Sequence, residues 1–228
     1  MESSQRQEWK MQALEARKVV HQYTEEEWAT VSSVHGITLS CKSPPGKPKI
    51  WKTSMEMPYS PVVLFEHFGL AGRSKWCPQF HSELVETIEE ERTETTWNGC
   101  TIQYNTSPPY AAGVISARDY VDVLCWQLLE DGSMLQGAIS ITHPERPPRQ
   151  GFVRAFNHPC GVLIKPIPDT NKSIMHYIVQ TDLKGWLPQR VVDGASSTAF
   201  IDMMRSFADY MHRTFPPASP QKNNHNNE

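Results

Sequence analysis

The chain has 228 residues, 39% of them hydrophobic, and a formal net charge of −3 at pH 7. That is enough to build one sizeable core, and too weak and dispersed a charge for a nucleic-acid-binding surface. No stretch approaches the roughly 18 apolar residues of a membrane span, and the N-terminus lacks a secretory apolar run, so a soluble cytoplasmic protein is expected.

Ser3–Tyr23 reads as a helix, with Trp9, Leu14, Val19 and Val20 among charged residues, and Thr24 as the cap of a further short turn. Three extended runs follow at Ala29–Val34, Ile37–Lys42 and Ile50–Met57, the first two joined tightly through His35-Gly36. Ser60-Pro61 opens a short apolar helix that stops at Gly69. From Phe80 onward alternation predicts strands over His81–Glu91, Thr93–Thr106, Asp119–Glu130, Met134–Thr142, Phe152–Pro166 and Ser173–Asp182. Pro188 then starts a helix that nothing interrupts before Pro216 and Pro217. Its apolar positions recur at three and four residue steps, so one wide face should be buried. The small and pliable residues in its middle suit either a ligand's flank or an ordinary core.

Long strands with helices near the ends argue for α+β, an antiparallel sheet of about nine strands curling around that last helix. One domain is expected over residues 1–215, followed by a disordered polar tail at 216–228.

Chemistry-bearing patterns are few. Cys41, Cys77, Cys100, Cys125 and Cys160 are odd in number and lack a CxxC spacing, which fits reduced thiols in the cytosol. Nine histidines include no HxH or HExxH, GxSxG is absent, and the glutamate runs read as solvated charge. No metal, cofactor or catalytic centre is expected. The unusual stretch is Ser107–Ser116, apolar and opened by prolines between two strands. A plain loop faces water and is polar, so this one either tucks against the core or gates a cavity.

Five segments together resemble the START (StAR-related lipid transfer) domain: Ser116-Ala117-Arg118-Asp119-Tyr120-Val121, Glu130-Asp131-Gly132-Ser133, the His143 to Pro148 run, Gly151 to Gly161 with its Phe-Asn-His-Pro-Cys-Gly core, and Thr181 to Pro188. The Phe-Asn-His-Pro-Cys-Gly run is most similar to the small soluble members that carry sterols or bile acids. The resemblance implies a helix-grip fold with an internal lipid tunnel. It also implies a gate loop over Tyr110, Ala111, Ala112, Gly113, Val114 and Ile115, and structural roles for Arg118 and Asp119.

The cholesterol-carrying branch of that family holds a buried acid–arginine pair, whose places fall here on Asn105 and Leu124. Losing both members together avoids a lone buried charge. By alternation Tyr120, Asp122, Leu124 and Trp126 share the tunnel face, with Asp122 expected at a water-filled rim. Asn157 takes a polar tunnel position, and Val192, Ala195, Ala199 and Met203 carry the helix's side. The resemblance thus implies a monomeric, non-enzymatic carrier of one sterol-like lipid, transiently touching membranes. A binder of bile acids or hydroxylated steroids is the alternative. Readings of other classes are an enzyme on a hydrophobic substrate and a lipid sensor.

Overall fold

The computed structural model describes residues 3–216; beyond Pro216, the tail expected to be disordered lies outside them. The chain runs α1 (Ser3–Glu25), β1 (Ala29–Val34), β2 (Ile37–Lys42), β3 (Ile50–Met57), α2 (Pro61–Phe68), α3 (Leu70–Trp76), β4 (His81–Arg92), β5 (Trp97–Ser107), β6 (Arg118–Leu128) and β7 (Met134–Ser140). It continues as β8 (Val153–Arg154), β9 (Phe156–Asn157), β10 (Cys160–Pro166), β11 (Ser173–Val179), β12 (Thr181–Asp182) and α4 (Gln189–Thr214). Nine strands pair antiparallel in the order β1-β2-β3-β11-β10-β7-β6-β5-β4. The α+β helix-grip arrangement is as expected.

Alternation along the strands sorts the sheet into two faces. Val121, Val123 and Cys125 of β6, with Cys100, Ile102 and Tyr104 of β5, pack under Trp9 and Ala13 of α1. Val20, nearer the end of that helix, covers Leu135, Leu163 and Ile178. The opposite face meets α2, α3 and α4 in a larger core that contains Phe65, Phe68, Trp76, Met134, Ile164, Met204 and Phe207.

Several sequence expectations need correction. Thr24 lies inside α1 and bonds back to the His21 carbonyl at 2.7 Å, so it caps nothing. The run expected as one strand over Phe152–Pro166 is three: β8 adds to β6 in parallel, and β9 pairs with β12 in a separate two-stranded sheet. Pro159 supplies no N–H for a continuous ladder, so the chain breaks there. A second break at Gln180, whose carbonyl takes the His158 N–H at 2.8 Å, divides β11 from β12. Helix α3 was not expected. It follows α2 so tightly that a Cβ at Gly72 would overlap the His67 carbonyl, and only glycine allows that approach.

The five cysteines are not all free. Cys100 and Cys125 are direct partners across β5 and β6, 4.1 Å apart at Cα, and form a disulfide. Their spacing of 25 residues hides a register that only strand pairing reveals. Cys41, Cys77 and Cys160 are unpaired.

Helix α4 also differs from a uniformly buried face. Only Met204, Phe207, Tyr210 and Met211, all in its second half, are buried. The first half is partly exposed because it borders a cavity instead of a packed core.

Candidate functional site

Between the sheet and the first half of α4 lies a cavity of about 560 Å³. Val192, Ala195, Ala199 and Met203 form its helical wall, and Asn105, Tyr120, Asp122, Leu124 and Asn157 stand opposite. Trp126 shares the face of Leu124 but does not reach the cavity. It lies over Gly99, with its ring 6.3 Å from Phe65, because α2 and the aromatic core already cover that end of β6. Gln103, Gln136, Trp51, Tyr177, Phe200 and Arg73 also line the cavity and were missed. Gln103 was findable, two residues before Asn105 on the same strand. Arg73 gave no signal because its helix was not anticipated.

The sheet's wall carries a polar cluster. Asp122 is not at a wet rim; it is only 5% exposed. Ser140, its direct partner across β6 and β7, donates to Oδ1 at 2.6 Å, and Asn157 Nδ2 donates to Oδ2 at 3.0 Å. Asn157 in turn accepts from Thr181 Oγ1 at 2.7 Å. All these donors are neutral, so burial pushes the Asp122 carboxyl above the usual carboxylate range, which its hydrogen bonds and the Arg73 charge only partly oppose. Burial likewise pushes the Cys160 thiol up and the Tyr177 and Tyr110 phenols to about 12. None of these lining groups is arranged as a nucleophile with a base, and among the described residues no group of three or more His, Cys, Asp or Glu could hold a metal ion.

The mouth has two flanks. On one, Tyr110 and Ile115 bond across the loop and line the cavity, while the tip from Ala111 to Val114 is exposed and does not tuck against the core. Ala111, Ala112 and Gly113 all have positive φ, at 50°, 53° and 89°. For the two alanines that backbone costs on the order of 1 kcal/mol each. On the other flank the β12–α4 connection exposes Trp186 almost fully, at 96%.

Arg118 ties the flanks together. Its buried guanidinium donates to the Ser116 carbonyl and, at 2.8 Å, to Ser116 Oγ on the loop side. It also reaches the Leu183 carbonyl at 2.9 Å and the Lys184 carbonyl at 3.2 Å on the helix side. Asp119 does not pair with Arg118. It points to the α1 face, where Arg154 donates to both its oxygens at 3.0 and 2.8 Å and Tyr104 adds a hydroxyl at 3.2 Å.

The START domain family model matches residues 10–214. The mouse StAR-related lipid transfer protein 5 is 40% identical over 123 residues, which are 53% of this chain and 54% of that protein. The zebrafish (Danio rerio) mitochondrial steroidogenic acute regulatory protein is 27% identical over 188 residues, 81% of this chain and 63% of that one. The matched segment thus spans about half the length of the mouse relative. Among solved structures, human StAR-related lipid transfer protein 5 superposes with a TM-score of 0.75 at 26% identity, covering 87% of this chain and 94% of that one. A model match over nearly the whole chain, on a curved sheet gripping a terminal helix, places this protein in the START domain family.

Proposed function

We propose that the protein is a non-enzymatic lipid carrier that encloses one sterol-like molecule between sheet and α4 and exchanges it with membranes. The observation that carries this reading is the cavity: 560 Å³, walled by small and pliable residues of α4, within the range of about 300–1,000 Å³ that holds one small ligand. Burying about 300 Å² of apolar ligand surface at about 25 cal/mol per Å² would give roughly 7 kcal/mol, a large part of a sterol's aversion to water. The strained loop tip and the Arg118 clamp support a gate at the mouth, with Val114 and Trp186 facing the membrane from either flank. Tryptophan is at home at such an interface, its ring apolar and its N–H wet.

A second reading, a hydroxylated steroid or bile acid, is favoured by the Asp122–Asn157 cluster, whose neutral hydrogen bonds could be shared with a ligand hydroxyl. Native mass spectrometry after incubation with liposomes containing sterols, phospholipids, ceramide and bile acids tests both. A single sterol or steroid adduct is expected. A phospholipid adduct, or none from folded protein, would overturn the reading and return enzyme and sensor functions to contention.

A further inference from the structure

The α1 side of the sheet holds chemistry that lipid carriage does not use. Cys100 and Cys125 are joined directly across β5 and β6, at 0% and 1% exposure, and no third cysteine belongs to the cluster around them. The covalent ring that their bond closes runs through Asn105, the whole Tyr110–Ile115 gate loop, Tyr120, Asp122 and Leu124. A staple on one side of the sheet therefore bounds the hairpin whose other side lines the cavity.

One element covers the pair. Trp9 and Ala13 of α1 pack in the same cluster, and Cys125 Sγ lies 3.9 Å from the Lys10 carbonyl oxygen. A thiol can donate to that oxygen and a disulfide cannot, so the same packing suits either redox state. Thiol–disulfide exchange requires an outside sulfur to touch one of the two, and neither is open to solvent while α1 is docked. Beyond its apolar stripe, this half of α1 is held by the Arg6–Glu86 and Lys10–Glu89 ion pairs and by the Trp9–His143 stack at 5.2 Å. Both ion pairs are partly exposed, and such pairs are weak.

We infer that Cys100 and Cys125 form a redox-switched staple and that the first half of α1 is its lid. Exchange occurs only while that half is off the sheet, and docking of the helix freezes the redox state. Closure takes a small-molecule disulfide as the oxidant. The Cys125 thiolate attacks one of its sulfurs and expels a thiolate; the Cys100 thiolate then attacks Cys125 in the mixed disulfide and expels the second. The pair gives up two electrons and two protons, and the oxidant becomes two thiols. The switch is independent of which lipid the cavity holds.

The test refolds the full chain from urea with either oxidised glutathione or dithiothreitol and then exchanges the two reagents. Peptide mapping should join Cys100 to Cys125 in the first preparation and find both as thiols in the second. Each state should persist in the opposite reagent at least about a hundredfold longer in native protein than in concentrated urea, the scale of a local opening. Low urea should change that native rate little, because lifting half a helix exposes little surface. The Arg6→Gln/Lys10→Gln variant loosens the lid from its solvent side and should speed exchange about fivefold. The oxidised form should melt about 10 °C above the reduced form. An unjoined pair after refolding with oxidised glutathione, or equal melting temperatures, would overturn the staple. Native exchange as fast as in concentrated urea, or a native rate that tracks global unfolding as urea is raised, would overturn the lid. So would a double variant, folded by circular dichroism, that exchanges no faster than wild type.

Discussion

Strand β6 buries two aspartates three residues apart, one on each face of the sheet, and the protein treats them in opposite ways. Asp119, towards α1, is fully paired: a bidentate arginine and a tyrosine hydroxyl take up both oxygens. Asp122, towards the cavity, has only neutral partners. The α1 face is packed under α1, so the buried Asp119 carboxylate is compensated from within the chain. The cavity face is lined by Asp122, Asn105, Tyr177 and Arg73, the last with no carboxylate in ion-pair distance among the described residues. A carboxyl held by an arginine on the α1 face and by neutral donors alone on the cavity face marks the cavity side as the one where a ligand's polar group can add to the contacts.

The contrast can be broken first on the α1 face. Asp119→Ala leaves Arg154 without its carboxylate and should cost about 3 kcal/mol in a denaturant titration. Asp122→Ala should cost well under half as much, because no buried cation is stranded; similar losses at both positions would dissolve the distinction. Next in size, Ala199→Trp would fill the cavity from α4. It should abolish lipid uptake while stability changes by less than about 1 kcal/mol. Normal uptake would remove that helix wall from the site.

The two faces should also titrate with opposite sign. The folded chain holds the Asp122 proton more tightly than the unfolded chain does, so this group's contribution to stability falls as pH rises from about 4 towards its raised folded value. His176, on the α1 side of β11, has the reverse behaviour. Burial, aided by Lys52 and Lys165, lowers it to about 4, so its contribution is intact above its ordinary value near 6.5 and is lost as pH falls towards 4. Asp122→Asn and His176→Gln should therefore remove slopes of opposite direction from the pH dependence of stability; same-sign changes would sink the assignment. The smallest expected effect on stability is at the loop tip. Val114→Asp, at an exposed position, should leave the melting temperature unchanged. It should slow transfer from membranes more than it weakens equilibrium binding. Equal effects on both would make the loop a fixed wall.

Much of the sheet's wall was legible because strand alternation is local. Once Tyr120 is placed inward, Asp122 and Leu124 follow, and Asn105 faces Tyr120 directly across β5 and β6. Alternation says which face a side chain takes but not what covers it. Trp126 obeyed the rule and still missed the cavity, since α2 and Phe65 reach that stretch of β6 first. Asp122 near a strand's start looked wet, but β7 and β9 close over it.

Local chemistry by itself determined the α+β class, most strand positions, the Ser60-capped start of α2 and the uninterrupted last helix, because periodicity, proline and glycine act within a few residues. The family was legible for the same reason, its motifs being short contiguous runs. Tertiary structure alone decided what depends on distant segments meeting. It joined Cys100 to Cys125, turned α4 into half core and half cavity wall, and sent Arg118 across the mouth to carbonyls 65 and 66 residues away. It also brought Arg73 to the cavity on a helix that sequence periodicity is too short to announce. Seven residues are two turns, and two turns hold too few apolar positions to show a period.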